Sequence, residues 1–496
     1  MAEKIVSPGV FTKEVDQSFL PAGVAAIGAA LVGPTVKGPA GVPTIVSSYT
    51  EYAQIFGNTF SSGSGTSEAS YAYLTSYAAK EYLRHADTLT VVRILAGDYS
   101  PASAVVSQSS AGTNTSSSIF NCFTLTSLND GEILNSNGPI GTNGLYASGS
   151  KDNFKFEVSS VNNAKGTFNL LIRRGDDTDK RKSILEQYNN LTLDPNTTNF
   201  ISKVIGDQTM TLRDSGGTDP FLQLSGSFVN KSKYVRVTTH VTTYNYLDEN
   251  GDIRDANLSG SLPVASSGSF QGGSDGDVQH PRAFYEDISD TNTQGYNLGV
   301  AAEGLTAYED AINVLKNQDE YDINLLLLPG LLDNLPNHAA VISKAIDMCE
   351  DRGDTFAIVD PVTYGSSITQ ATTQAEGRDS NYAAMYWPWV QVPDNNIGKN
   401  VWVPPSVVMP GVYAFNDRVA AEWFAPAGLN RGGIDNAIMA ERKLTHTNRD
   451  TLYLSNVNPI ATFPNTGICA CGQKTLQKKA SALDRVNVRR LLIAAK

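Results

Sequence analysis

Hydrophobic and polar positions along this chain switch between two rhythms, and the switches predict its elements. Residues 23–97 read as a small α/β unit. Ala25 to Val32 is an apolar run of strand length, and Val42 to Val46 is a second. Tyr49 to Phe56 reads as a short helix started by Ser47 or Ser48, with Glu51 near the capping-box position. A Gly/Ser loop, Ser61 to Ser67, separates it from an amphipathic helix over Tyr71 to His85. The strand Leu89 to Leu95 follows, and helix, turn and strand in that order build parallel sheets. Residues 295–380 repeat the logic. Ile323 to Leu328 is continuously apolar and ended by Pro329-Gly330, as suits a strand covered on both faces. The helix from Asn337 to Arg352 carries a stripe of Ala340, Ile342, Ala345, Ile346 and Cys349, and Gly353 ends it before the strand Thr355 to Val359. The two pieces are expected to form one α/β core.

Between them, residues 98–294 change composition. They are rich in Ser, Thr, Asn and Gly, with polar runs such as Ser107–Ser118 and Ser259–Asp277. Strands are expected at Phe154–Val158, Phe168–Arg173 and Tyr234–Thr243, and helices at Ser183–Tyr188 and Phe200–Val204. This reads as one or two β-rich domains inserted on loops of the core, since loop tips accept insertions. Residues 381–496 form a further region. From Asn381 to Gly433 it holds Trp387, Trp389, Trp402 and Trp423, punctuated by prolines that predict short strands and tight turns. A helix is expected from Ile434 to Asn448, strand and turn through Leu452–Pro464, then Gly467 to Leu476. At the other end, residues 1–22 alternate after Pro8-Gly9 without a hairpin partner. Such an arm must find a sheet edge, in its own domain or in a neighbour.

A length of 496 residues exceeds one compact core and suggests two to four domains. Hydrophobic residues at 41% and charged residues at 18% support folding, and a net charge of −12 disfavours a dedicated nucleic-acid binder. Cys122, Cys349, Cys469 and Cys471 make no disulfide framework, and the Cys469/Cys471 spacing fits buried small residues better than a metal knuckle. The start lacks a basic region before an apolar one, and Ala22 to Gly33 is too short to span a bilayer, so the chain is expected to stay in the cytosol, without stable membrane insertion.

No catalytic site emerges. Asp360 before Pro361 lies where an open α/β sheet would hold one, but no phosphate loop or base accompanies it, and it reads as a turn residue. Gly272-Gly273-Ser274-Asp275-Gly276 has the letters of a nucleophile elbow without its strand and helix. Asp248-Glu249-Asn250-Gly251-Asp252 opens like a calcium loop, yet Ser259 stands where the closing Glu is needed, so Asn250-Gly251 reads as a hairpin turn. No metal or cofactor site is expected.

The order Tyr-Trp-Pro-Trp (386–389), Val-Pro-Pro-Ser (403–406), Pro-Gly-Val-Tyr (410–413), Asn416-Asp417-Arg418 and Ala-Pro-Ala-Gly-Leu-Asn-Arg-Gly-Gly (425–433) resembles contractile phage tail sheath proteins, the family that includes sheaths of tail-like injection machines. Ser7-Pro8-Gly9-Val10, Val32-Gly33-Pro34, Ile55-Phe56-Gly57, Thr90-Val91-Val92-Arg93 and Val486-Asn487-Val488-Arg489-Arg490-Leu491 extend it over both flanks, while 98–294 shows little of it. The resemblance implies a multidomain α/β sheath core (23–97 plus 295–380, then the 381–496 region), interrupted by an inserted β-rich outer domain and carrying an extended N-terminal arm. It implies a homo-oligomer that polymerises helically around a tail tube protein, on a baseplate and below a tail terminator. Such a subunit belongs to the virion after assembly in the host cytoplasm, binds no nucleic acid directly and needs no cofactor.

For the arm, the implied residues are Ile5, Val6, Pro8, Gly9, Val10, Phe11 and Val15. For contacts with neighbours or the tube they are Val486, Asn487, Val488, Arg489, Arg490, Lys474, Lys478 and Lys479. Arg489 and Arg490 are expected to form ion pairs or reach backbone carbonyls, or else to stand as a solvated pair. The three lysines form a basic patch suited to an acidic tube surface or a plain solvated face. An adhesin or baseplate component with a receptor-binding β domain is the second reading, and an enzyme with a Rossmann-like core the third. In the family the Val-Asn-Val-Arg-Arg-Leu motif leads into a helix and a further small domain, whereas this sequence stops at Lys496. Either a C-terminal element is missing or it is provided differently. On the first expectation the purified chain sediments as a monomer, and long tubes in negative-stain images would overturn it.

Overall fold

The computed structural model describes residues 28–62, 69–108, 121–136, 141–217, 219–278, 287–299, 302–464 and 467–496. The expected N-terminal arm lies outside them. One eight-stranded sheet organises the described chain. Its strands are β1 (Gly28–Gly33), β2 (Thr44–Val46), β3 (Leu89–Arg93), β4 (Ile323–Leu332), β5 (Phe356–Asp360), β6 (Ala383–Trp387), β7 (Val457–Phe463) and β8 (Gly467–Ala470). The spatial order is β2-β3-β1-β4-β5-β6-β7-β8. β3 through β7 pair in parallel, and β2 and β8 close the two edges antiparallel. Strands from both flanks of the polar 98–294 stretch therefore share one sheet, and the 381–496 region contributes three of them.

Both faces of this sheet are covered, which is why its strands read as continuous apolar runs. Ala29, Leu31, Val91, Leu325, Leu327, Phe356 and Tyr386 point to one face. There they meet α1 (Tyr49–Phe56), α2 (Leu74–Tyr82) and α6 (Pro405–Val419). Ala30, Val92, Leu326, Leu328, Val359 and Met385 point to the other face. That face is covered by α3 (Glu303–Val314), α4 (Pro336–Arg352) and α5 (Ile368–Glu376). Each fully buried Leu, Ile or Val contributes roughly 1.5–3 kcal/mol. The start of α1 is set by Ser48, whose side chain accepts from the Glu51 N–H, while the Glu51 carboxylate accepts from the Ser47 N–H. Gly353 ends α4 at φ 70°, a conformation only glycine adopts without strain.

Residues 98–294 contribute no strand to this sheet. They build a four-stranded sheet (Ile184–Thr192, Thr167–Arg174, Phe154–Asn162, Ser266–Ser269) and a three-stranded one (Val235–Thr239, Asn121–Asp130, Pro101–Ser107). A separate apolar cluster including Phe123, Phe154, Phe168, Leu170, Ile201 and Val237 lies between them. Arg173, 1% exposed, is buried with Asp177 and Lys155, and half-buried Glu157 completes their salt-bridge network at 2.7–2.8 Å. The chain leaves and re-enters the core side by side, with bridges Ala96–Gly276 and Ser100–Ser274. Arg93 clamps that junction by donating to the Gly38 and Asp130 carbonyls at 2.7 Å.

Several expected elements change. Ser183–Tyr188 is no helix: the strand Ile184–Thr192 occupies it, because pairing with Thr167–Arg174 satisfies a backbone too short to nucleate a helix alone. Ile434–Asn448 is not a helix either. Its backbone N–H groups at Ile434, Ile438 and Glu441 donate to Ile468, Gln391 and Trp389 carbonyls at 2.8–2.9 Å, and α7 (His446–Leu454) begins only after the Thr445 cap. The prolines of 404–410, expected to break the chain into turns, instead start and cross α6. Pro405 needs no N–H donor in the first turn, and the small Pro410-Gly411 step lets α6 approach the Glu81 backbone of α2. β4 does not stop at Pro329-Gly330 but bulges through it to Leu332, with Thr293 Oγ donating to the Gly330 carbonyl at 2.7 Å. The helix expected over Tyr71–His85 shortens to Leu74–Tyr82. Leu452 joins α7 rather than a strand.

Asp360 is also more than a turn residue. It ends β5 fully buried, and its carboxylate accepts from the Ser406 N–H (2.8 Å) and the Ser406 hydroxyl, capping α6. Burial raises its pKa to about 7. Nearby on α4, buried His338 accepts from the Leu332 N–H at Nδ1 and meets the Ser289 carbonyl at Nε2, and burial lowers its pKa to about 4. The two act oppositely on stability. Asp360 keeps its proton in the fold above the usual carboxylate value of about 3.9, so its contribution is lost as pH rises toward 7. His338 refuses a proton that the unfolded chain takes up below about pH 6.5, so its contribution grows from pH 4 to 6.5. Urea melts of Asp360→Asn should therefore show stability rising more steeply with pH across that window than in the parent. Parallel curves would contradict this assignment.

Candidate assembly surface around the C-terminal helix

The C-terminal helix α8 (Val486–Ala494) carries the Val-Asn-Val-Arg-Arg-Leu motif and is held against the sheet from both ends. At its start the Val486 N–H donates to the Gln473 carbonyl at 2.8 Å, and Lys474 pairs with Arg485. The 473–476 segment is in turn tied to the sheet. Asn458 on β7 donates to the Lys474 carbonyl (2.8 Å) and accepts from its N–H (2.6 Å), while the Leu476 N–H reaches Ala383 on β6. Val486 and Ile493 join the apolar cluster under α2 and α6. A residue pattern with apolar groups at 486 and 493, one heptad apart, suits one buried face.

Arg490 sits on that buried face, 1% exposed. Its guanidinium forms a two-pronged ion pair with Asp417 of α6 at 2.7 and 2.6 Å and lies over the Tyr413 ring, 5.0 Å from its centre. Tyr413 in turn shares a hydrogen bond with Tyr386 of β6 at 2.6 Å. The Asp417 carboxylate holds the Arg490 charge firmly, raising its pKa further despite burial. Arg489, also buried, stacks on Tyr382 at 4.1 Å. Of the alternatives for the arginines, the ion pair holds for Arg490, and neither is solvated.

The residues expected to meet a neighbour or the tube thus divide. Val486 and Arg490 point into this chain's own core and have no surface to offer, a correction that follows from their burial. Asn487 and Val488 are half-buried, with the Asn487 amide near the Trp423 carbonyl at 3.4 Å. Lys474 is half-buried with its Nζ 4.7 Å from the Tyr453 ring centre, and burial, then Arg485, lowers its pKa. It is no free cation. Lys478 and Lys479 are exposed. The arm residues Ile5, Val6, Pro8, Gly9, Val10, Phe11 and Val15 lie outside the described residues.

Sequence reasoning missed the exposed apolar groups beside α8. Leu491 and Leu492 on the helix, and Trp423 and Leu429 on the loop after α6, are each at least 42% exposed. Of these, Trp423 lies beside the helix through its carbonyl's contact with the Asn487 amide, and exposed large apolar groups are candidates for contact with a partner. A helical wheel of 486–494 shows Leu491 and Leu492 opposite the buried Val486, Arg490 and Ile493, and that signal was available. The sheet edges differ as well. β8 is already strapped by its own chain, with Gly428 N–H to Ala470 O and Ala470 N–H to Gly432 O at 2.8 Å. On the opposite edge, β2 pairs only with β3 among the described residues and leaves Ile45 65% exposed.

Among the described residues no three His, Cys, Asp or Glu side chains gather to hold a metal, and no helix is long and apolar enough to cross a membrane. Removing one partner of the Arg490–Asp417 pair leaves a buried charge alone, so Asp417→Ala should cost about 3–5 kcal/mol in urea melts. Arg490→Lys should not rescue, since an ammonium cannot make the two-pronged pair. The double variant Arg490→Met/Asp417→Leu should be more stable than Asp417→Ala. Equal loss in both would show that the pair is not what holds α8.

Residues 305–476 match the family model of the phage tail sheath protein central domain, a span that runs from α3 past β8 and ends before α8. The tail sheath protein of Salmonella phage ViI is 30% identical over 234 residues, covering 43% of this chain and 36% of that protein. The tail sheath protein of Vibrio phage KVP40 is 38% identical over 113 residues, 23% of this chain and 16% of that protein. The matches thus span about a third or less of the length of these curated relatives. Among solved structures, a sheath tail protein from Listeria innocua is similar at a TM-score of 0.52 and 11% identity, over 94% of this chain and 74% of that one, which bears on the fold alone. Residues 305–476, which hold most of the central sheet, are thus similar to the central domain of phage tail sheath proteins.

Proposed function

We propose that this chain is a structural subunit of a contractile tail sheath, polymerising helically around a tail tube and contracting to drive the tube through the host envelope. The observation that carries this reading is the family match over 305–476, which falls on the doubly covered sheet. Its partners are further copies of itself, the tube protein, the baseplate and the tail terminator, and its place is the virion tail after assembly in the host cytoplasm. Its work is mechanical rather than catalytic.

A rigid, doubly covered sheet suits that work. Contraction in such an assembly moves subunits as rigid bodies from a metastable to a better-packed arrangement, without nucleotide. Head-to-tail contacts that do not close generate the helix. The arm Ile5–Val15 is proposed to add a strand to a neighbour's sheet, where main-chain hydrogen bonds hold while linkers turn. Lys478 and Lys479 are proposed as the basic part of a tube-facing surface, and Leu491 and Trp423 as apolar contacts between copies. The β-rich 98–294 region, with sheets and an apolar cluster of its own, is proposed as an inserted outer domain.

Gold-labelled antibodies against residues 98–294, applied to particles carrying this chain, should decorate the whole tail length before contraction and the shortened cylinder after it. Label confined to the tail tip would overturn the sheath reading and favour a baseplate or adhesin component.

A further inference from the structure

We propose that Cys469 and Cys471 are a modification site for small-molecule disulfides, closing to a reversible intrachain disulfide that opens the outer edge of β8. Cys469 lies on β8 and Cys471 one residue past its end, and their sulfurs are already 3.9 Å apart. Cys471 is partly exposed, whereas Cys469, Cys122 and Cys349 are buried. The pair has an entry side and an inner partner.

The surroundings favour attack by Cys471. The Cys469 thiol and the Arg449 guanidinium stabilise its thiolate, lowering its pKa to about 7, while Cys469 is pushed up chiefly by donating to the Cys471 sulfur. Arg449 is anchored over the Phe463 ring at 5.0 Å, so its charge stays beside the sulfur. The step balances as an ordinary exchange. The Cys471 thiolate attacks one sulfur of the small disulfide, whose other half leaves as a thiolate and takes a proton. Capping Cys471 removes the chief cause holding the Cys469 proton. The Cys469 thiolate then attacks the Cys471 sulfur and releases the second small thiol. Two protein thiols are oxidised and one small disulfide is reduced.

Closure has a structural consequence. The sulfurs must move from 3.9 Å to about 2 Å, and the Cβ atoms must come within about 4.5 Å, closer than an extended backbone holds residues two apart. The end of β8 has to bend. That end carries the Ala470 bonds to Gly428 and Gly432 and the Cys471 N–H bond to Pro459, all at 2.8 Å, so bending releases the 428–434 strap. This edge-opening does not depend on the sheath reading.

The test is to incubate the full chain with oxidised glutathione and map peptides by mass, with hydrogen exchange in parallel. The 469–471 peptide should lose two hydrogens without a lasting glutathione adduct, reversibly with dithiothreitol, and exchange at 428–434 should rise at least several-fold. Cys469→Ser should trap glutathione on Cys471, and Cys471→Ser should leave Cys469 unmodified. A parent peptide that stays unmodified, or keeps its adduct unresolved, overturns the disulfide. Closure with unchanged exchange at 428–434 overturns the edge-opening. Unchanged melting of both serine variants before oxidation keeps either outcome interpretable.

Discussion

Everything in this molecule depends on a sheet of mostly parallel strands having to be buried on both faces. Parallel strands are joined by crossovers, and the crossovers lay helices over the sheet, so neither face is left for water. The alternating sides taken by Leu325, Leu326, Leu327 and Leu328 show the consequence: successive leucines enter opposite apolar clusters, and both clusters are closed. The helices that close them must come from along the whole chain. Residues far apart in sequence, such as Tyr52, Val407 and Val486, therefore meet under one face.

The same constraint decides what the strand ends do. In open α/β sheets the crevice at the carboxyl ends is the usual place for a ligand. Here the groups at that edge are spent on structure. Asp360 caps α6 through Ser406, and Arg93 grips the carbonyls where the chain departs into residues 98–294 and returns. A second tie, Asp310 on α3 receiving the Ser215 hydroxyl at 2.6 Å and the Gly216 N–H at 3.0 Å, fixes the Thr209–Ser225 hairpin onto the core. Burial makes each of these polar contacts expensive to leave unmade, which stiffens the junction.

α8 extends that stiffness to the end of the described chain. Without the Asp417 carboxylate, the buried Arg490 charge would lose its two-pronged partner beside Tyr413, so α8 is coupled to α6 through one pair whose Arg490 end is desolvated. Its opposite face keeps Leu491 and Leu492 in water. The helix thus has an apolar outer margin, and the strapped β8 edge keeps one side of the sheet from unplanned pairing.

The sequence by itself determined the elements whose signal is local. The helix Tyr49–Phe56 follows from Ser48 and Glu51, the helix ending at Gly353 from its apolar stripe and a residue free to adopt positive φ, and the buried strands from their unbroken apolar runs. The family resemblance was legible in the same way, as residue order. Tertiary structure decided the rest, where long-range partners outweighed local preference. Ile434–Glu441 is drawn out of helix because Ile468, Gln391 and Trp389 offer carbonyls to its N–H groups. Ser183–Tyr188 becomes strand because Thr167–Arg174 lies alongside. The prolines at 404–410 sit in a helix because Asp360, contributed by another strand, caps it. Whether Arg489 and Arg490 face water or core depended on where Tyr382, Tyr413 and Asp417 came to lie, and a charge is buried only when the fold brings it a partner.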